Sequence, residues 1–461
     1  MDIQNEVLKY KEELIKSLQE SIKIKSVEEK AQPGMPFGEG PAKALNHFLN
    51  VAEKLGFETE NFDNYVGHIE FGQGEETIGI LGHVDVVPEG NGWDYPPYSA
   101  KIVDNKMYGR GTLDDKGPLM IVLYALKALK DLGVPMKRKV KIIVGANEET
   151  NWGCMKHYFE KLKMPQPVMS FTPDSTFPVT FAEKGIMRGI IKIRTNSQGI
   201  TLQGGEVYNA VPEKSILTLP MEYKEKVEEK LEIYNIDKEY KIKSEIIDNK
   251  LVIVSYGKSA HAAHPESGYN SLSALMNFVN LLEVEILGLK EMGQYFSENV
   301  KMEYNGKSAG LFYEDEPSGE ITMNYGKAFV KDGYIQVSVD IRYPVTLDHK
   351  KLKEKVLDLL RKYNMEFVVL KEKEPLYVKK DSFLVKTLTD IYQEITGDSN
   401  GEPRSTGGGT YAKAVKNCVA FGALLKGTKD TMHQKNECID LSTIDILLKI
   451  YIEAIYRLAN S

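Results

Sequence analysis

From about residue 77 the chain alternates short apolar runs with longer amphipathic ones, a rhythm that narrows its fold to parallel strands joined by helices. Thr77 to Leu81 reads as a buried strand ending at GHVDVVP, and Val140 to Gly145 as another ending at ANEE. Between them Leu119, Val122, Leu126 and Leu129 recur at spacings of three and four, which predicts a helix starting just after DDKG. The expected fold class is therefore α/β with a mostly parallel central sheet. Open sheets of this kind bind ligands beyond the carboxyl ends of their strands, so acid-bearing segments far apart in sequence can meet in one crevice.

At 461 residues the chain is too long for one ordinary core. Its style changes after FAEKG at 181–185, where the β-rich segments GIIKIRT, KLVIVSY, EITMNYGKAFV and GYIQVSVDIR begin. Amphipathic helices are expected near Ser271 to Leu282 and after Asp348, where Leu352, Val356, Leu359 and Leu360 share a face. From about Pro375 the alternating style returns, with GGGTYAKA and a terminal helix rich in Leu and Ile. This predicts a discontinuous first domain, 1–183 and 376–461. An α+β domain, 184–375, is inserted into it and is long enough for two subdomains.

A net charge of -7 from 59 basic and 66 acidic residues argues against nucleic acid as a partner, because phosphate binding needs a basic stripe. The N-terminal MDIQNEVLKYKEELIKSLQESI lacks the apolar core of a secretory signal and reads as an amphipathic surface helix. The best apolar run, Leu119 to Leu126, falls far short of the roughly 20 residues that cross a bilayer, so no membrane association is expected. Cys154, Cys418 and Cys438 are scattered without CxxC spacing, which points away from a disulfide framework and toward the cytoplasm.

Chemistry concentrates in a few segments. His83 and Asp85 lie two apart at a strand end, where Asp85 could orient the imidazole. Glu148 and Glu149 are adjacent in GANEETNWG, so one can bind a cation while the other faces the water that the cation activates. Of Asp114 and Asp115, one could bridge two ions or simply cap the following helix. Asp174 in FTPDSTFP and His433 in TMHQKNE add a carboxylate and an imidazole. His83, Asp114, Glu149, Asp174 and His433 together form a mixed nitrogen and oxygen donor set that suits zinc, manganese or cobalt. Two divalent cations, three carboxylates and a bridging hydroxide would sum to neutrality. The glycine-rich GRGTLDDKG and STGGGTYAKA lack the spacing of a phosphate-binding loop, which argues against nucleotide binding.

The motifs GHVDVVP, MYGRGTLDDKG, ANEET, TPDS and MHQKNE resemble the co-catalytic zinc metallopeptidase family that includes aminoacylases, carnosinases and succinyl-diaminopimelate desuccinylase. Within it, KSAHAAHPESG and MHQKNE are most similar to the bacterial PepV-type, or Xaa-His, dipeptidases. The resemblance implies a zinc-exopeptidase-like catalytic domain with an inserted lid and two divalent ions per chain, zinc ahead of manganese and cobalt. His83 and Asp174 would hold one ion and Glu149 and His433 the other. Asp114 would bridge, chosen over Asp115 by the family pattern of Asp, any residue, Lys, Gly, and the Asp114–Asp115 peptide would be cis. Glu148 would be the general base, with His261 in GKSAHAAHP reaching from the lid to stabilise the oxyanion. Asn209, Arg342 and Gly408 resemble substrate-binding positions, Arg342 suiting a terminal carboxylate.

His47, His68, His157, His264 and His349 read as surface histidines in polar segments. The expected function is a cytoplasmic, monomeric dipeptidase acting on dipeptides with a free N-terminus. An amidohydrolase for N-acyl amino acids or succinyl-amines is the first alternative, and a noncatalytic peptide- or metal-binding relative the second.

Overall fold

The computed structural model describes residues 3–196 and 199–461. The chain divides into two compact units: Met1–Phe181 with Tyr377–Arg404 and Gly409–Ser461, and Ala182–Leu376 with Ser405–Gly408. The second unit thus includes a four-residue return, Ser405–Gly408, from a segment otherwise belonging to the first.

In the first unit, Thr77–His83 pairs in parallel with both Lys139–Gly145 and Met169–Thr172, and Cys418–Phe421 continues the parallel order beyond Met169–Thr172. These four strands are the parallel heart of the sheet. Its flanks are antiparallel: Val66–Phe71 pairs with Lys139–Gly145, Glu58–Phe62 with Val66–Phe71, and Val179–Glu183 with Cys418–Phe421. The sheet is therefore mixed, because hairpin-type neighbours finish what the crossover strands begin. The central strands are buried runs, six of the seven residues of Thr77–His83 being enclosed, as expected where helices cover both faces.

The helix expected after DDKG begins inside that motif, spans Lys116–Asp131 and buries Leu119, Val122, Leu126 and Leu129. It packs against the terminal helix Ile444–Asn460. The N-terminal segment forms a short helix Ile3–Glu6, a tight turn Val7–Tyr10 and the helix Lys11–Ile22, whose stripe Leu14, Leu18 and Ile22 is fully buried.

The second unit holds one eight-stranded antiparallel sheet. Its long strands Gly185–Arg194, Thr322–Lys331 and Tyr334–Tyr343 lie side by side. Ser271–Leu281 and His349–Arg361 contribute Leu272, Leu275, Leu352, Val356, Leu359 and Leu360 to its core. Asp348 starts the latter helix by accepting from the backbone N–H groups of Lys350 and Lys351 at 2.9 and 3.4 Å.

Two of the histidines read as surface residues are buried. His68 lies on Val66–Phe71 with its Nδ1 2.7 Å from the Tyr158 hydroxyl, and His157 stacks on Tyr65 with ring centroids 4.1 Å apart. Their aromatic partners are about 90 residues away in sequence, beyond what a local polar context can signal. His264 is exposed, and His47 and His349 are half-buried.

Candidate metal centre

The sheet register of the first unit explains why the acid-bearing motifs converge. His83 sits opposite Gly145, so the ANEE segment leaves the sheet beside it. Ile80 pairs with Phe171, and continuing that register brings position 174 level with His83. Parallel pairing puts all three exits at one edge.

Around that edge the donors close up. One donor atom each of His83, Asp114 and Glu149 lies within 4.8 Å of the others, and the same holds for His83, Glu148 and Asp174. His83 Nε2 is 3.0 Å from Asp114 Oδ1 and 3.7 Å from Asp174 Oδ2. His433 Nε2 is 2.8 Å from Asp114 Oδ2 and 3.2 Å from Glu149 Oε1. The two oxygens of Asp114 thus face different imidazoles, with Asp174 on one side and Glu149 on the other. The peptide between Asp114 and Asp115 is cis.

The atoms at the centre lack partners. Among the described residues, buried His83 Nε2 and Asp114 Oδ1 make no hydrogen bond, although they are close to one another. Orphaned nitrogen and oxygen donors gathered at hydrogen-bonding range suit a divalent cation, which would satisfy both at once. Charge says the same. Burial and the neighbouring Asp114 carboxylate push Glu149 up to about 7 and raise Asp174. Burial also works against ionising Asp114, yet the two imidazoles outweigh it and hold this carboxyl well below its ordinary range. The Asp114 and Glu149 carboxylates push His433 up to about 11. Crowded carboxylates of this kind call for positive charge.

The surrounding residues fix these donors. Asp85 accepts at its carboxylate from the backbone N–H groups of Glu148 and Glu149, at 3.0 and 3.1 Å. Its main-chain carbonyl lies 3.0 Å from His83 Nδ1, closer than its carboxylate at 3.5 Å. Orientation of the imidazole is thus shared with the backbone. Trp152 Nε1 donates to Glu148 Oε1 at 3.0 Å.

Sequence reasoning missed Glu437, Trp152 and Lys116, and left Asp115 as a bridge or a helix cap. Asp115 begins the helix without a side-chain cap and instead accepts from the His83 backbone N–H at 3.1 Å. The approach depends on Gly82, whose missing Cβ would otherwise stand 2.6 Å from Asp115 Oδ2. Glu437 is fully buried and accepts from the N–H groups of Gly111, Leu113 and Asp114 at 3.0, 2.9 and 3.3 Å while pairing with Arg110 at 2.6 Å. It lay in plain view in MHQKNE, but its target is 324 positions away. Lys116 is fully buried and donates to the Ser21 and Ile24 carbonyls at 3.1 and 2.7 Å, with burial bringing its pKa down to about 7.

The remaining predicted residues belong to the second unit. Ala210 and His261 form an antiparallel bridge in which the Ala262 N–H donates to the Asn209 carbonyl at 2.9 Å, so Asn209 and His261 are neighbours. His261 Nδ1 accepts from the Ala263 N–H at 3.2 Å. Desolvation, then Arg342, lower its pKa below the ordinary value, and a neutral ring accepting at Nδ1 carries its proton on Nε2. Arg342 is buried, bound to Asp340 at 2.5 and 3.2 Å and to the Gly407 carbonyl at 3.0 Å, which brings Gly408 into its vicinity.

The sequence profile of Peptidase family M20/M25/M40 matches residues 79–457. The chain belongs to that family. It is 38% identical over 470 residues to the Bacillus subtilis (strain 168) protein named "Putative dipeptidase YtjP", covering all of both chains. Among solved structures, this M20 chain is similar to human carnosine dipeptidase 1, with a TM-score of 0.58 at 16% identity over 99% of this chain and 98% of that one. It is similar also to the di-peptidase Dug1p of Saccharomyces cerevisiae, with a TM-score of 0.59 at 16% identity over 100% and 98%. At these identities the structural likeness is one of fold. M20 peptidases are metal-dependent, in keeping with the donor set assembled here. Among the described residues, no helix is long and apolar enough to cross a membrane.

Proposed function

We propose that this M20 peptidase is a cytoplasmic, metal-dependent dipeptidase that hydrolyses dipeptides with a free N-terminus as a monomer. The first unit would be its catalytic domain and the second its lid. One observation carries the reading: the orphaned His83 Nε2 and Asp114 Oδ1 at the focus of Glu149, Asp174 and His433, with Glu148 beside them. The dipeptidase naming of a relative identical at 38% over the full length supports the substrate class.

His83 with Asp174, and Glu149 with His433, would each hold one divalent cation and Asp114 would be shared. Zinc is the first choice, with manganese or cobalt also suited by the donors. When bound, such a pair supplies Lewis acidity and a water of lowered pKa.

The protein's own groups then divide the work. Asp85 gathers the Glu148 and Glu149 amides and, through its carbonyl, keeps the proton of His83 on Nδ1, which leaves Nε2 as a donor atom. Glu148, held by the Trp152 indole, takes the proton of the attacking water and returns it to the leaving amine. His261 offers Nε2–H to the oxyanion, a neutral donor that costs no charge separation before reaction. Arg342 uses three of its five donors on Asp340 and Gly407 among the described residues. One donor on each terminal nitrogen is left for the substrate carboxylate, assisted by Asn209 and Gly408.

The test is a panel of free and N-acylated dipeptides given to the metal-loaded protein. Cleavage of free dipeptides is expected. Turnover confined to N-acylated substrates would instead assign an amidohydrolase, and metal-dependent binding without any turnover a noncatalytic relative.

A further inference from the structure

A cavity of about 400 Å³ opens in the first unit beside the candidate metal centre, with Asp85 and Glu149 in its wall. That volume lies at the small end of the roughly 300–1,000 Å³ typical of ligand sites. The apolar part of the wall is Val27, Val86, Val87 and Pro88, with Thr150 as a neutral polar neighbour. Glu28 and Glu29 stand at it against one basic residue, Lys30.

The N-terminal segment is not resting there loosely. Ser26, fully buried, donates its hydroxyl to the Val84 carbonyl at 2.6 Å and accepts at its own carbonyl from the Val86 N–H at 3.1 Å. A further backbone bond runs from the Glu29 N–H to the Phe37 carbonyl at 2.9 Å. Residues that precede the α/β pattern are thereby fastened to the strand exit bearing His83 and Asp85, which puts Val27 in the same wall as Val86 and Val87.

We infer that this cavity receives the side chain of the substrate's N-terminal residue, selecting apolar side chains of moderate size and rejecting acidic ones. The inference rests on the dipeptidase reading and adds its specificity. Continuity carries it, because the same Glu149 belongs to the donor cluster and to the cavity wall, so a substrate whose scissile bond lies at the cluster has one side chain within reach. The lining sets the preference: valines and a proline gain from apolar contact, while Glu28 and Glu29 repel a carboxylate.

The test measures kcat/KM of the metal-loaded full chain on Leu-Gly, Gly-Gly and Glu-Gly, for the wild type, Val27→Trp and Val87→Lys. The wild type should favour Leu-Gly over Gly-Gly by at least tenfold and cleave Glu-Gly worst, in line with the roughly 10–200-fold that an apolar pocket can discriminate. Val27→Trp should lower Leu-Gly about tenfold or more relative to Gly-Gly. Val87→Lys should raise Glu-Gly relative to Leu-Gly, a gain that misfolding cannot produce. If the wild type cleaves free dipeptides but neither variant moves these ratios, the cavity assignment falls and the dipeptidase reading stands. If only N-acylated substrates are cleaved, that reading fails and takes this one with it.

Discussion

Two clusters of buried polar side chains, one in each unit, differ in how their needs are met. Around Asp340 in the second unit each buried side-chain atom of Asp340 and Arg342 finds at least one partner: Arg188 and Arg342 supply donors at 2.5–3.2 Å, and the Gly407 carbonyl takes one more N–H from Arg342. Around Asp114 in the first unit this is not so, since two buried atoms at its centre find no hydrogen bond among the described residues. A satisfied cluster holds a fold together, whereas an unsatisfied one of the same polarity marks a place where something else binds.

The sharpest way to break this contrast is to strip the protein of divalent metal. Chelation should abolish hydrolysis, and return of zinc, manganese or cobalt should restore it, followed by rate and by metal content per chain. Next, Glu148→Gln should lower kcat by about 10²–10⁴ while bound metal stays at the wild-type level, the effect of losing a general base alone. A parallel loss of metal would make Glu148 a ligand instead. Glu437→Gln should weaken metal affinity by about 10–100-fold in a chelator competition, because the loop carrying Asp114 loses its charged anchor.

Arg342→Lys probes the other cluster. A rise in KM with little change in melting temperature fits a substrate contact, while a lower melting temperature with unchanged KM would leave Arg342 a purely structural residue. The smallest effect concerns stability alone. Burial and the Lys141 ammonium hold His68 down to about 4, against 6.5 when exposed. Between those values the unfolded chain takes up a proton that the folded one refuses, so this group destabilises the fold as pH falls from 6.5 toward 4. His68→Gln should flatten that part of the melting-temperature profile.

Much of the first cluster was legible in the sequence because His83 and Glu149 sit in short motifs at the ends of apolar runs. Those runs predict strands whose parallel order aligns their exits, while Asp174, read only as a carboxylate in FTPDSTFP, joins them through a third strand, Met169–Thr172. The α/β pattern and the β-rich insertion were legible for the same reason, since periodicity is a local property. What escaped were partnerships set by the fold. Nothing near Glu437 announces that it serves residues 111–114, and nothing near His68 announces Tyr158. The flanking antiparallel strands escaped too, because hydrophobic runs carry no direction. The four-residue return Ser405–Gly408 is invisible in a glycine-rich loop whose Gly407 carbonyl is captured by Arg342, 65 positions upstream.

The position of the Lys116 ammonium reaches beyond enzymology. Its hydrogen bonds to the Ser21 and Ile24 carbonyls tie the end of the helix Lys11–Ile22 and the residues after it to the segment that presents Asp114. Trimming that stretch to obtain a shorter protein for crystallisation or expression would strip a buried cation of its acceptors two positions from Asp114. What looks like a dispensable leader is, in engineering terms, the chain's own keystone.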